Sequence, residues 1–156
     1  MRPLCAIRLL IVEDDPGYRY LIETAFRRHR GEFRWELAIA ADGEQALNLL
    51  FEEEKARTSL PDLILLDWHL PKVSGNEVLR RIKEHRRLCR IPVLIFSSSD
   101  ADKDINAAYD NHANGYLKKP ADGGVMEAIV DAMGQFWVSI ARLPKVGQRD
   151  IYDDAH

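Results

Sequence analysis

Apolar runs alternate with amphipathic stretches along most of the chain. Ile7–Val12 reads as a first strand, while Leu63–Leu66 and Val93–Phe96 are apolar at every position, the mark of strands covered on both faces of a sheet. Arg34–Ile39 is half charged and reads as an edge strand. Tyr116–Leu117, after the Asn114-Gly115 turn signal, is a very short fifth strand. Between these runs the spacing becomes helical. From Pro16 to about Arg30 it places Tyr18, Leu21, Ile22, Ala25 and Phe26 on one face, with Pro16 suited to a first turn whose N–H would lack a partner anyway. Asp42 caps a second helix to about Glu54, Gln45 completes a capping box, and Ala46, Leu47 and Leu50 face inward. Val78, Leu79 and Ile82 mark a third helix after Ser74 and Gly75. Ile105, Ala108 and Tyr109 mark a fourth, and Val125, Met126, Ile129, Val130 and Met133 a fifth from about Gly123.

Five strands alternating with five helices predict an α/β fold, a doubly wound five-stranded parallel sheet with helices on both faces. A length of 156 residues suits a single domain, expected over residues 1–143. Residues 144–156, with Pro144, Gly147 and several charges, read as a flexible tail.

Composition narrows the function classes. The chain is 46% apolar and 30% charged with a net charge of −3, and its Lys and Arg are scattered, which argues against direct nucleic-acid or membrane-surface binding. No apolar run approaches the roughly 18 residues of a membrane span, and the first residues lack a secretory leader pattern. Cys5 and Cys89 have no metal-binding spacing and make no disulfide scaffold, so a cytoplasmic protein is expected.

In a doubly wound sheet all the strands end at one rim, where sites form. Glu13, Asp14 and Asp15 follow the first strand, Asp67 the third, Ser97 closes the fourth and Lys119 follows the fifth. Carboxylates crowded together repel one another, and a hard divalent cation such as Mg²⁺ relieves the repulsion. Asp14 and Asp67 would each supply a carboxylate oxygen and His69 a backbone carbonyl. Asp67 would attack phosphorus to form an acyl phosphate, the Lys119 ammonium would neutralise phosphoryl charge, and the Ser97 hydroxyl would bond a phosphoryl oxygen. Asp15 reads as a solvated loop acid, and the His69 imidazole carries no assigned chemistry.

The segments IVEDDP, LILLDWHLPKVSG, PVLIFSSSD and GYLKKP, in that order over about residues 7–140, resemble the receiver domain of two-component response regulators. The resemblance implies a flavodoxin-like sheet in strand order 2-1-3-4-5. Asp14 would be the direct metal ligand, Glu13 an indirect one through water, and Mg²⁺ or Mn²⁺ the cofactor. Asp67 would be the phosphoacceptor, Ser97 the switch hydroxyl, Tyr116 the rotating aromatic, and Lys119 the lysine preceding Pro120, in what is often a cis linkage. The phosphoryl donor would be a sensor histidine kinase. The loop EEEKARTSLPD, the run SSSDADKDINAAYDNHANGYL and the ending FWVSIARLP are most similar to small regulators paired with phytochromes. Those relatives imply a homodimer through the fourth helix, fifth strand and fifth helix, here Tyr109, Phe136, Trp137 and Ile140, with an unidentified downstream protein meeting the same face. Trp68 and His69 are bulky beside the acceptor, and Ser74 stands where the family often has an acid.

Three rivals differ in class. A phosphatase of the haloacid dehalogenase type needs a second acid two positions after the nucleophile, where this chain has His69. A flavin or nucleotide site would need glycines after the first strand, where three acids stand. A receiver-like adaptor that works without phosphorylation would not need the Asp14, Asp67, Ser97 and Lys119 set.

Overall fold

The computed structural model describes residues 5–31, 33–57 and 60–144. The strands are β1 (Cys5–Val12), β2 (Phe33–Ala40), β3 (Leu63–Leu66), β4 (Val93–Ser97) and β5 (Gly115–Lys118). The helices are α1 (Pro16–Arg28), α2 (Gly43–Ala56), α3 (Gly75–Glu84), α4 (Asp102–Asp110) and α5 (Gly123–Gly134). The five strands form one sheet in the order β2-β1-β3-β4-β5, and every pair is parallel. The expected architecture and strand order are both present.

Burial explains the order. All four residues of β3 and all five of β4 are buried, so these apolar runs can sit only in the middle of the sheet. Each fully buried Leu or Ile contributes about 1.5–3 kcal/mol relative to exposure. Half-charged β2 lies at one edge and short β5 at the other. Two apolar layers flank the sheet. One packs Ala46, Leu50, Val78, Ile82, Trp68 and Ala108, from α2, α3, α4 and the loop after β3, against Leu10, Ile64 and Ile95. The other packs Ile22, Phe26, Met126 and Val130, from α1 and α5, against Leu9, Ile11 and Leu65.

The helix starts are set by side chains. Asp42 caps α2 by accepting the N–H of Gln45, and Gln45 reaches back to the N–H of Ala41, one residue earlier than a capping box requires. Ser74 caps α3 through the N–H of Glu77, so a hydroxyl does the work an acid would do there.

Several expectations need correction. α1 ends at Arg28, because His29 turns extended and its ring is held by Asp131 and stacked on Phe33. Val125 is 48% exposed, at the rim of the stripe that Met126, Val130 and Met133 bury. Tyr109 points to solvent beside buried Ala108. A 3-10 turn, Leu88–Arg90, precedes β4, and a π-helical turn, Gln135–Ile140, continues α5; the sequence pattern showed neither. No peptide bond among the described residues is cis, so Lys119–Pro120 is trans. The tail expected at 144–156 lies, apart from Pro144, outside the described residues.

Candidate functional site

The rim is built by strand register. Glu13 follows β1 and its N–H donates to the Ala40 carbonyl of β2, while Asp67 follows β3 and its N–H donates to the Val12 carbonyl of β1. The Lys119 N–H donates to the Ser97 carbonyl at 2.8 Å, which brings the end of β5 to the end of β4. Backbone ladders thus deliver residues far apart in sequence to one place. Among the described residues the buried polar side chains are Glu13, Asp67 and Ser97.

The side chains meet as a charged cluster. The Lys119 ammonium donates to Glu13 Oε2 at 2.6 Å and to Asp67 Oδ2 at 3.1 Å. The other oxygen of Asp67, Oδ1, accepts the backbone N–H of His69 at 3.2 Å. Burial pushes the Glu13 carboxyl above its ordinary pKa, and the Asp67 charge adds to this against the hydrogen bond from Lys119. Burial by itself would lower the Lys119 pKa, but the bonds to and charges of Glu13 and Asp67 together outweigh it and hold the ammonium above its usual range. Lys119 is therefore a firmly charged cation between two carboxylates.

Glu13, Asp14 and Asp67 each offer a carboxylate oxygen, and the three lie within 4.8 Å of one another, with Asp14 exposed at the open side. An all-oxygen set with surplus negative charge fits a hard divalent cation. Asp15 stands apart. Its Oδ1 accepts the N–H groups of Gly17 and Tyr18, so it is the N-cap of α1 rather than a merely solvated acid. Ser97 is fully buried, and its Oγ accepts the N–H of Ser99 at 3.1 Å. Tyr116 donates its hydroxyl to the Ser99 carbonyl at 2.8 Å, so the backbone of Ser99 lies between the two.

Further residues belong to the neighbourhood. Trp68 is buried in the α2–α3–α4 layer, and its indole N–H donates to Asp104 Oδ1 of α4 at 3.3 Å. Ser99 Oγ donates to Asp104 Oδ2 at 2.6 Å, and His69 Nε2 lies 3.9 Å from that oxygen. The Ser99 hydroxyl foremost, and the Trp68 indole with it, hold the Asp104 carboxyl below its ordinary pKa against the effect of burial. Tyr18 places its ring 4.6 Å from the Lys119 ammonium. Gly75 must be glycine, because a Cβ there would strike the Asp67 carbonyl and approach Trp68 Cα at 2.7 Å. No spacing in the sequence points to Asp104 as the partner of Trp68 or to Tyr18 as the partner of Lys119 and Pro120, which are distant along the chain.

Known proteins share this arrangement. The response regulator receiver domain family matches residues 9–131. The probable methanogenesis regulatory protein FilR2 of Methanothrix harundinacea is 39% identical over 138 residues, covering 87% of this chain and 86% of that protein. The crystal structure of the phosphorylated cyanobacterial phytochrome response regulator RcpA superposes with a TM-score of 0.80 at 38% identity, over 90% of this chain and 99% of that one. The Mn²⁺-bound form of response regulator Rcp1 gives a TM-score of 0.76 at 33% identity, over 88% and 99%. The protein Rcp1 of Synechocystis sp. is itself 34% identical over 137 residues, 87% of this chain and 92% of that protein. Parallel strand order, acidic cluster and opposing lysine agree with these relatives: the chain belongs to the response regulator receiver domain family and carries that family's Asp/Asp/Lys phosphotransfer cluster.

Proposed function

We propose that this receiver is the phosphoacceptor of a two-component relay, taking a phosphoryl group from a sensor histidine kinase onto Asp67. The observation that carries the reading is the buried Asp67 carboxylate held between the Lys119 ammonium and the His69 N–H, beside two more acids. An oxygen of Asp67 forms a bond to phosphorus as the donor's P–N bond breaks, and the electron pair leaves on the imidazole nitrogen. Lys119 shifts its charge toward the arriving phosphoryl oxygens, and the Ser97 hydroxyl donates to one of them. Asp14, Asp67 and the His69 carbonyl would hold Mg²⁺ or Mn²⁺, with Glu13 reaching it through water, and the bound ion would add charge neutralisation.

The output runs through α4, β5 and α5. Ser97 and Tyr116 both hold the backbone of Ser99, so a turn of the Ser97 hydroxyl toward a phosphoryl group loosens the contact that Tyr116 shares. β5 is the sheet edge, with α4 on one face and α5 on the other. Tyr109, Phe136 and Ile140 are exposed there, while Trp137 is half-buried and stacks edge-on against Phe136 at 5.0 Å. An open apolar groove of about 320 Å³ runs between Leu94 and Leu117 on one side and Met133, Phe136 and Trp137 on the other. We assign this edge to a homodimer contact, residues 1–143 to the receiver unit, and the kinase to the phytochrome class, the last on the likeness to RcpA and Rcp1.

Incubation with Mg²⁺ and acetyl phosphate, followed by intact mass, tests the central reading. A labile phosphoryl adduct is expected in the wild type and absent in Asp67→Asn. No adduct from acetyl phosphate or from a kinase donor would leave an adaptor that works without phosphorylation. For the dimer, sedimentation should show Trp137→Ala shifted toward monomer, whereas a monomeric wild type rejects the interface.

A further inference from the structure

Tyr18 has no part in the phosphoacceptor roles above, yet several contacts converge on it. The Asp15 carboxylate accepts the N–H groups of Gly17 and Tyr18 at 2.8 and 3.0 Å, which fixes the first turn of α1 and the direction in which Tyr18 leaves it. The ring packs on Phe96 of β4 with centroids 6.0 Å apart, and its face lies 4.6 Å from the Lys119 ammonium. Its hydroxyl donates to the Pro120 carbonyl at 3.0 Å, the residue directly after Lys119.

Lys119 needs such support. A lysine ammonium is a point charge on a flexible stem, and this one leaves an edge strand just before an exposed connection. Glu13 and Asp67 attract it from one side, and the aromatic face bounds it on another. Attraction to a ring face is broad rather than directional, so the ammonium can slide from a carboxylate toward a phosphoryl oxygen without leaving the ring. Burial first, and the charges of Glu13 and Asp67 after it, push the phenol's pKa up to about 12, so the ring stays neutral while it does this.

We propose that Tyr18 is a positioning residue of the phosphoacceptor site: its ring holds the Lys119 ammonium beside Asp67, and its hydroxyl ties down the Pro120 backbone behind it. The proposal rests on the phosphoacceptor reading and acts through Lys119, since Tyr18 touches no reacting atom. The two contacts separate by substitution. Tyr18→Phe keeps the ring and loses the tie, whereas Tyr18→Met and Tyr18→Leu lose both.

The experiment follows the rate of adduct formation by intact mass across a range of acetyl phosphate concentrations with Mg²⁺, alongside thermal melting of each variant. Tyr18→Met and Tyr18→Leu are expected to lower the ratio of maximal rate to half-saturating acetyl phosphate about tenfold. Tyr18→Phe should stay within about threefold of wild type, a rescue that a purely structural role would not give once melting temperatures are matched. Ringless variants that fold and phosphorylate like wild type overturn the Tyr18 role and leave the phosphoacceptor reading standing, and a Phe variant as slow as the ringless ones overturns the part assigned to the ring. A wild type that takes up no phosphoryl group overturns both. If one ringless variant fails to fold, the other decides.

Discussion

The centre and the edge of the sheet contribute to the site in opposite ways. β3 is covered on both faces, its four residues are buried, and the carboxylate it delivers is 6% exposed. β5 has a neighbour on one side only, its residues are half-buried or exposed, and it delivers the opposing cation. The buried acids Glu13 and Asp67, just after β1 and β3, are placed by packing, which tolerates little displacement. The lysine is placed by charge attraction and by a few contacts from α1 and β4. Negative charge is therefore fixed and positive charge adjustable, a division suited to a site that gains and loses a phosphoryl group.

The largest effect should come from damaging the centre. Leu66→Ala, at a fully buried position of β3, is expected to cost about 3 kcal/mol in urea unfolding, while Leu117→Ala on β5 should cost roughly 1 kcal/mol. Equal losses would erase the distinction between the strands.

Next comes removal of the adjustable charge. Lys119→Met leaves Glu13 and Asp67 facing each other without a cation and should cost about 2 kcal/mol at pH 7, less than in a fully dry pair because the cluster is open at Asp14. Glu13, already raised by burial, then rises further. The folded variant holds a proton that the unfolded chain releases, so its stability should recover as pH falls from 7 toward 5 and be lost again as pH rises. Urea midpoints of variant and wild type across that range measure the difference, and parallel curves would show that Lys119 does not balance these acids.

The smallest effect concerns the tie behind the lysine. Tyr18→Phe should cost within about 1 kcal/mol at neutral pH. In the wild type, the stability contributed by the Tyr18 phenol is present below its unfolded pKa near 10 and fades toward about 12. Alkaline unfolding should accordingly be shallower in the Phe variant, and the late-titrating phenolate absorbance of the wild type should disappear. An unchanged phenolate titration would place the late signal on another tyrosine.

Legibility differed from strand to strand. β3 could be read to the residue, because an unbroken apolar run between polar ends has only one buried solution. The other strands run past their readings: β2 extends to Phe33 and Ala40 beyond Arg34–Ile39, β5 to Gly115 and Lys118, and of the inner strands β1 begins at Cys5 and β4 reaches Ser97. At a strand end, hydrogen bonding to a neighbour can continue where the hydrophobic pattern has stopped. Convergence of Glu13, Asp14, Asp67 and Lys119 was legible because each follows a strand and parallel strands share a rim. Tyr18 was read as one more apolar residue on the inner face of α1, and Trp68 had no visible role. The partners that define them, Lys119 and Pro120 for one and Asp104 for the other, are distant in sequence and meet them only through the layer packing.

The bond between Trp68 and Asp104 has an optical consequence. The three tryptophans divide between the layers, with Trp35 and Trp137 packed against the α1–α5 side and Trp68 alone on the α4 side, one residue from Asp67. A buried indole whose N–H is bonded to a carboxylate emits according to that carboxylate's position. Subtracting the spectrum of a Trp68→Phe variant would isolate one chromophore that senses the acidic cluster and the first turn of α4 together. The chain thus contains its own fluorescent gauge of whether events at the rim reach the helix beside it.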